Sequence, residues 1–431
     1  MDLTGGRLEY GAGLLTLLSV GATLWLWPRL ARRGVLPVAG RLLLVLASQL
    51  SLVLLAALLL NSYGDFYPTW TDLAGGGNTT VTLGRVTGGG SEEQVTDLGS
   101  KLVLPAPLGP LQLRSELPVG GPPGQNGSFS AVTVVGERTG YRQPAYVYLP
   151  PQYFQPAYQH VDFPVLTSYV GYPGSIQTMV DRLRMPQIAA RMMQDGRMQP
   201  TILVIISQTV APPRDTDCIN APGGPQAETY LTEDVPAALR SAYRVESDPR
   251  GWGLTGVSEG ATCALENTLR HPEVFGVAAS LGGEYWEYET TTTGVLFGPQ
   301  GPARTGLLDS YNLIWRLQHL PVPHVRVLVA TTAHGEHDYR ATGQFIRAVT
   351  PPMQVTPLVL SNGGHNYTTW SLELEPALAW LGQQLNPPTA APEPKPTASA
   401  SAPASAPAGG GTAPRAAAPD VAGLGLVAVP G

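Results

Sequence analysis

The chain has 431 residues, 43% of them hydrophobic and 13% charged, with 26 Lys and Arg against 32 Asp and Glu for a formal net charge of −6. That length admits one large domain with appendages. The acidic balance, with no basic stripe interleaved with aromatics, argues against a nucleic-acid partner.

Two apolar runs come first, at about 11–28 and 42–60. Each is close to the ~20 residues that a bilayer span needs. The first ends in Trp25, Trp27 and Pro28, a composition suited to a membrane interface. Between the runs stand Arg29, Arg32, Arg33 and Arg41 and no acidic residue. Positive-inside bias places that loop in the cytoplasm, and the N-terminus and everything beyond about residue 62 outside. A cleaved signal peptide fits less well, because Asp2 and Glu9 outweigh Arg7 where a basic segment should stand. Residues 1–61 are therefore expected to form a two-helix membrane anchor, multi-pass, with the remaining chain extracytoplasmic. Residues 62–127 read as a Gly/Pro-rich linker, with short β-like pieces at 81–86 and 101–104 and an aromatic cluster from Tyr63 to Trp70 that suits interfacial anchoring.

From residue 128 the pattern changes. Strands are expected at 129–135 and 145–149, joined by a turn at 136–140, and a further apolar strand at 163–170. There follow a helix at 178–195, a strand at 202–206, a helix at 230–243, a strand at 252–255, a helix at 261–269 and strands at 276–280 and 325–330. A last helical pattern runs through Leu372, Leu374, Ala377, Leu378, Trp380 and Leu381. Such alternation argues a mostly parallel sheet with helices on both faces, over 128–386. The stretch 283–311, with Tyr285, Trp286, Tyr288 and Phe297 among Gly and Thr, either lines an acyl or sugar pocket or packs. Residues 387–431 are Ala/Pro/Ser-rich, cannot bury enough surface to offset chain entropy, and are expected to be a disordered tail.

The chemistry concentrates at Gly256-Val257-Ser258-Glu259-Gly260. An apolar strand precedes it and a helical run follows, the context of a nucleophile elbow, whose tight turn requires small residues on both sides of the serine. A serine hydroxyl needs a base to take its proton and an acid to orient that base. His365, in Asn362-Gly363-Gly364-His365, lies on the loop before the last helix. The acid has two candidates on the loop after strand 325–330, Glu336 and Asp338, of which Glu336 is nearer the strand end. His334 and His337 flank Glu336, but a short loop with no second ligand cluster elsewhere does not argue for a metal. Two backbone N–H groups are needed for a developing oxyanion. Glu259 supplies one and the loop 171–175, through Tyr172, the other.

Five segments share one resemblance: Val147-Tyr148-Leu149-Pro150-Pro151-Gln152-Tyr153, then 171–175, then 252–260, then His271-Pro272-Glu273-Val274-Phe275, then Gly363-Gly364-His365-Asn366. In this order the chain resembles the putative-esterase branch of the α/β-hydrolases, which includes the antigen 85 mycolyltransferases and esterase D-like enzymes, over about 128–385. It looks like a membrane-anchored actinobacterial member. The resemblance implies the α/β-hydrolase fold, with Ser258 as nucleophile, Glu336 as orienting acid and His365 as base. It also implies an acyl-enzyme passed to water or to a hydroxyl acceptor such as a sugar, no metal or organic cofactor, and a small-molecule, lipid or sugar ester as substrate. In that fold the loop bearing Cys218 can approach the helix bearing Cys263, and an outward-facing domain permits oxidation, so these two cysteines are expected to form a disulfide. The rival reading is a non-catalytic envelope protein that kept the fold for binding or scaffolding.

Overall fold

The structure, a computed structural model, describes residues 6–64, 99–106, 121–336 and 338–390. The β-like piece expected at 81–86 and residues 391–431 of the expected tail lie outside the described residues, as does His337.

Two N-terminal helices, α1 (Gly6–Leu26) and α2 (Val35–Gly64), pack against each other. Hydroxyls line their seam, with Ser19 Oγ 2.8 Å from Ser51 Oγ and Thr23 Oγ1 2.8 Å from Ser48 Oγ. The outer faces carry exposed leucines, among them Leu17, Leu24, Leu43 and Leu50. Among the described residues, one segment is long and apolar enough to cross a membrane: Val35–Ser62, 28 residues of mean hydropathy 2.6. At 1.5 Å per residue it spans about 40 Å, against about 30 Å of hydrocarbon. The two spans expected from sequence are thus met by one on length and composition. The run in α1 is diluted by Thr16, Ser19 and Thr23 and starts from Glu9, which accepts a hydrogen bond from Ser62.

The following domain is built on a nine-stranded sheet. Its strands are β1 (Val103–Ala106), β2 (Ser128–Val135), β3 (Arg142–Leu149), β4 (Val165–Tyr169), β5 (Ile202–Ile206), β6 (Trp252–Val257), β7 (Val277–Leu281), β8 (Arg326–Thr332) and β9 (Gln354–Leu360). The spatial order is β1-β2-β3-β5-β4-β6-β7-β8-β9. Pairings from β1 to β5 are antiparallel and the rest parallel. Every residue of β4, β5, β6 and β7 is buried, as continuous apolar runs in a sheet covered on both faces must be. Side chains alternate between two cores, with the two-residue period of a strand. Leu203, Ile205 and Leu328 meet α3 (Met185–Gln194) and α9 (Tyr367–Gln384) on one face. Val204, Leu254 and Val327 meet α4 (Val235–Ala242), α5 (Glu259–Arg270), α7 (Leu313–His319) and α8 (Tyr339–Ala348) on the other. Helix α6 (Pro302–Tyr311) closes a satellite cluster with Leu296 and Phe297.

Three local features differ from the sequence expectation. The helix expected at 178–195 breaks into Ile176–Asp181 and α3, with Arg184 left-handed between them. Pro186 explains the break: it has no N–H to bond back and its ring would strike the carbonyl four residues earlier. The helix expected at 230–243 starts with a wider turn at Tyr230–Asp234, ahead of Pro236. Strand β9 was not anticipated because Pro357 interrupts its pattern, yet an edge strand tolerates a proline. Past the last helix, Thr389–Ala390 pairs antiparallel with Val161–Asp162.

This order gathers the carboxyl ends of β4, β6, β8 and β9 on one edge. From them issue loop 171–175, Ser258, loop 333–338 and loop 361–366, where ligands of open α/β sheets generally bind.

Candidate active site

Between the last residue of β6 and the first of α5 stands Ser258, with φ 55° and ψ −127°. A side-chain-bearing residue in that region costs roughly 1–3 kcal/mol and persists only where its surroundings impose it. The Ser258 N–H donates to the Leu281 carbonyl (3.1 Å), and its own carbonyl accepts from the Ala261 N–H (2.9 Å) and Thr262 N–H (3.1 Å). A Cβ on Gly256 would lie 2.4 Å from the Gly260 carbonyl, and one on Gly260 would lie 2.3 Å from the Val170 carbonyl. The flanking glycines are therefore a steric requirement of this turn. Gly171 is constrained the same way, since a Cβ there would lie 3.2 Å from Ser258 Cβ.

The hydroxyl of Ser258 lies 2.7 Å from Nε2 of His365. On the far side of the ring, Nδ1 lies 3.2 Å from Oε1 of Glu336, whose side chain is fully buried. The two loops that carry this pair interlock. The Gly363 N–H donates to the His334 carbonyl (3.0 Å), the His334 ring hydrogen-bonds the Ser361 carbonyl (2.9 Å), and the Gly364 N–H donates to Thr369 Oγ1 (2.9 Å). Asn366 caps α9 by accepting from the Thr369 N–H (3.1 Å), and Trp370 stands edge-on to the imidazole at 5.0 Å. His334 is thereby a brace between loops. Asp338, the other candidate acid, is buried and accepts from Thr331 Oγ1 (2.8 Å) and Thr342 Oγ1 (3.3 Å).

Glu259 opens α5, so its N–H is among the first four amides of a helix, which have no intrahelical acceptor. Tyr172, on the loop seated against Ser258 by Gly171, anchors its phenol by donating to the Pro213 carbonyl (2.9 Å). Cys218 and Cys263 form a disulfide, with Cα atoms 5.8 Å apart, tying the loop after β5 to α5.

A hydroxyl, an imidazole and a carboxylate in sequence, with helix N-terminal amides beside the hydroxyl, are the groups that nucleophilic acyl transfer requires. Residues 136–315 match the family described as "Putative esterase", a span that holds the Gly171 loop and Ser258 and ends before Glu336 and His365. The match is consistent with the esterase branch of the α/β-hydrolases. An uncharacterized protein of Corynebacterium glutamicum is 26% identical over 258 residues, which cover 56% of this chain and 57% of that protein; the chain thus spans little more than half the length of this curated relative. Of solved structures, a ferulic acid esterase is similar with TM-score 0.50 and 16% identity over 60% of this chain and 99% of its own, a likeness of fold. An S-formylglutathione hydrolase from Agrobacterium tumefaciens has TM-score 0.49 and 15% identity over 60% and 96%.

Above Ser258 and His365 the domain holds a cavity of about 270 Å³. Tyr172, Trp286 and Tyr288 contribute its aromatic lining. Segment 283–311 divides between cavity and core: Trp286 and Tyr288 face the cavity, while Tyr285 stacks on Phe345 (4.6 Å) in the core and Phe297 packs on Tyr311. Five acidic residues, Asp215, Asp217, Glu259, Glu284 and Glu287, share the lining with threonines such as Thr262 and Thr293. Burial, then the neighbouring Asp215 and Glu284 charges, pushes the Asp217 carboxyl up to about 8. Burial first, and then the other carboxylates, also holds Glu259 and Glu287 well above the usual range. Sequence reasoning missed this acid wall. Its members come from the loop after β5, the elbow and the segment after β7, and no local spacing announces their meeting.

Proposed function

We propose that this chain is a membrane-anchored, extracytoplasmic serine esterase or acyltransferase. The observation that carries the reading is the unbroken contact from Ser258 Oγ to His365 Nε2 at 2.7 Å and from His365 Nδ1 to Glu336 at 3.2 Å. Ser258 attacks the ester carbonyl as His365 takes its proton, and Glu336 orients the imidazole and stabilises its charge. The N–H groups of Glu259 and Tyr172 receive the oxyanion. Collapse expels the alcohol, protonated by His365, and leaves an acyl-enzyme on Ser258. Water or a hydroxyl acceptor then attacks that intermediate, with His365 as base again. The substrate is an ester small enough for the cavity, with Trp286 and Tyr288 against its apolar part.

In this reading α1 and α2 both span the membrane, the arginine-bearing loop between them is cytoplasmic, and the domain 128–386 faces outward. The hydroxyl-lined seam between the helices and the exposed leucines around them support the anchor, and the disulfide suits an oxidising compartment. Hydrolysis of a short-chain p-nitrophenyl ester tests the chemistry. Ser258→Ala is expected to lower kcat by about 10⁴ or more, as loss of a nucleophile does in such sites. Turnover that survives the substitution would refute it. Product analysis with and without a sugar acceptor separates hydrolysis from transfer.

A further inference from the structure

The acid wall asks for a positive partner. Asp215 and Asp217 are 4% and 5% exposed, and each, with Glu259, offers an oxygen such that all three lie within 4.8 Å of one another. A second observation points the same way. Glu266, on the buried face of α5, is 0% exposed and neither of its carboxylate oxygens has a hydrogen-bond partner. One of those oxygens lies within 4.8 Å of a carboxylate oxygen of Glu287, whose Oε1 is also buried and unpartnered. Gln208 donates its Nε2–H to Glu259 (2.8 Å) and leaves its own amide oxygen buried without a donor. Two guanidiniums in the region have other partners: Arg214 donates to the Thr293 and Val295 carbonyls, and Arg270, whose charge reaches Glu266, is bound to Glu228.

Buried carboxylates are ordinarily paired, protonated or bound to a metal. Crowding them beside Ser258 would oppose the negative charge that an oxyanion develops there. A cation among them removes both costs. We propose that Asp215, Asp217 and Glu259 bind a hard divalent cation of the calcium type, backed by Glu287 and Glu266. The donors are all oxygens, the set that selects Ca²⁺ or Mg²⁺ over softer metals. Cys218, the sulfur that lies beside Glu266 and Glu287, is committed to its disulfide with Cys263. The cation would pin the loop after β5 to the first turn of α5 and neutralise the cavity wall next to the serine. Binding does not depend on the esterase reading, because it is measured without substrate.

The test uses the full chain in detergent micelles, stripped with EDTA and titrated separately with CaCl₂, MgCl₂ and choline chloride. Thermal unfolding is followed, along with Tb³⁺ luminescence sensitised by tryptophan, since Trp286 lines the same cavity. The expected result is a Tm rise of roughly 5 °C at saturating Ca²⁺ and Tb³⁺ emission that Ca²⁺ displaces. Asp217→Asn is expected to lose both responses while its metal-free Tm equals or exceeds that of the wild type, which separates lost binding from lost folding. No response of the wild type to Ca²⁺ or Mg²⁺ would overturn the proposal. So would an Asp217→Asn response equal to the wild type, or a rise in Tm with choline alone.

Discussion

At Ser258 the backbone conformation, the two glycines and the hydroxyl–imidazole contact specify one another. Ala at 260 would set a methyl against the Val170 carbonyl, a backbone atom that cannot swing away. Gly260→Ala is expected to destabilise the domain by about 3 kcal/mol or more, or to prevent folding, as read by denaturant unfolding. Glu336 and Asp338 also separate at this scale. Because Glu336 reaches the imidazole, Glu336→Gln should lower kcat/KM by about 10³–10⁴. Asp338→Asn, which alters contacts to Thr331 and Thr342, should cost less than about tenfold. The reverse ranking in ester kinetics would reassign the acid. Glu373 on α9 is 0% exposed with both oxygens unpartnered, and burial, then the Glu336 and Asp338 charges, pushes it up to about 9. A carboxyl raised in the folded state keeps its proton there while the unfolded chain ionises. Its contribution is therefore intact below about pH 4.5 and is lost as pH rises toward 9. Glu373→Gln should melt higher than the wild type at pH 8, by an amount on the order of a few kcal/mol, with the gap closing near pH 4. A gap that does not change with pH would contradict this.

Between residue and fold, the elements show why the sequence was partly legible. Strand 202–206 is a run of five apolar residues, and the strand–serine–helix passage at 252–270 combines an apolar run, the two glycines that flank the serine and an amphipathic helix, so pattern and structure agree. His365 was legible because glycines mark its loop and a helical period follows it. What escaped depends on tertiary context. Pro186 splits a helix whose apolar period runs through the break, and β9 holds its register beside β8 despite Pro357 because the edge position spares the missing N–H. Glu336 over Asp338 turned on the course of a loop, and the acid wall on three segments meeting in space. The disulfide acts at element scale, closing a 45-residue separation between the loop after β5 and α5. Chain-entropy reasoning assigns such a loop about 4 kcal/mol. Reduction, or the Cys218→Ala/Cys263→Ala double variant, is expected to lower unfolding stability by up to that amount. A change below about 0.5 kcal/mol would show that the loop is held without it.

For the molecule as a whole, the sheet brings four carboxyl-terminal strand ends to one edge, and distant loops from that edge supply the serine, the histidine and the glutamate. In the proposed topology the exposed leucines of α1 and α2 face lipid. Protease added to cells without an outer barrier should then digest the domain 128–386, and full protection would reverse the orientation. The central claim is that Ser258 is a nucleophile activated by His365. A fluorophosphonate probe, with the adduct mapped by mass spectrometry on the full-length protein, tests it most directly. The account predicts a single adduct on Ser258, absent from Ser258→Ala and strongly slowed in His365→Ala. An adduct on another residue, or a folded wild-type protein that takes up no probe, would contradict it.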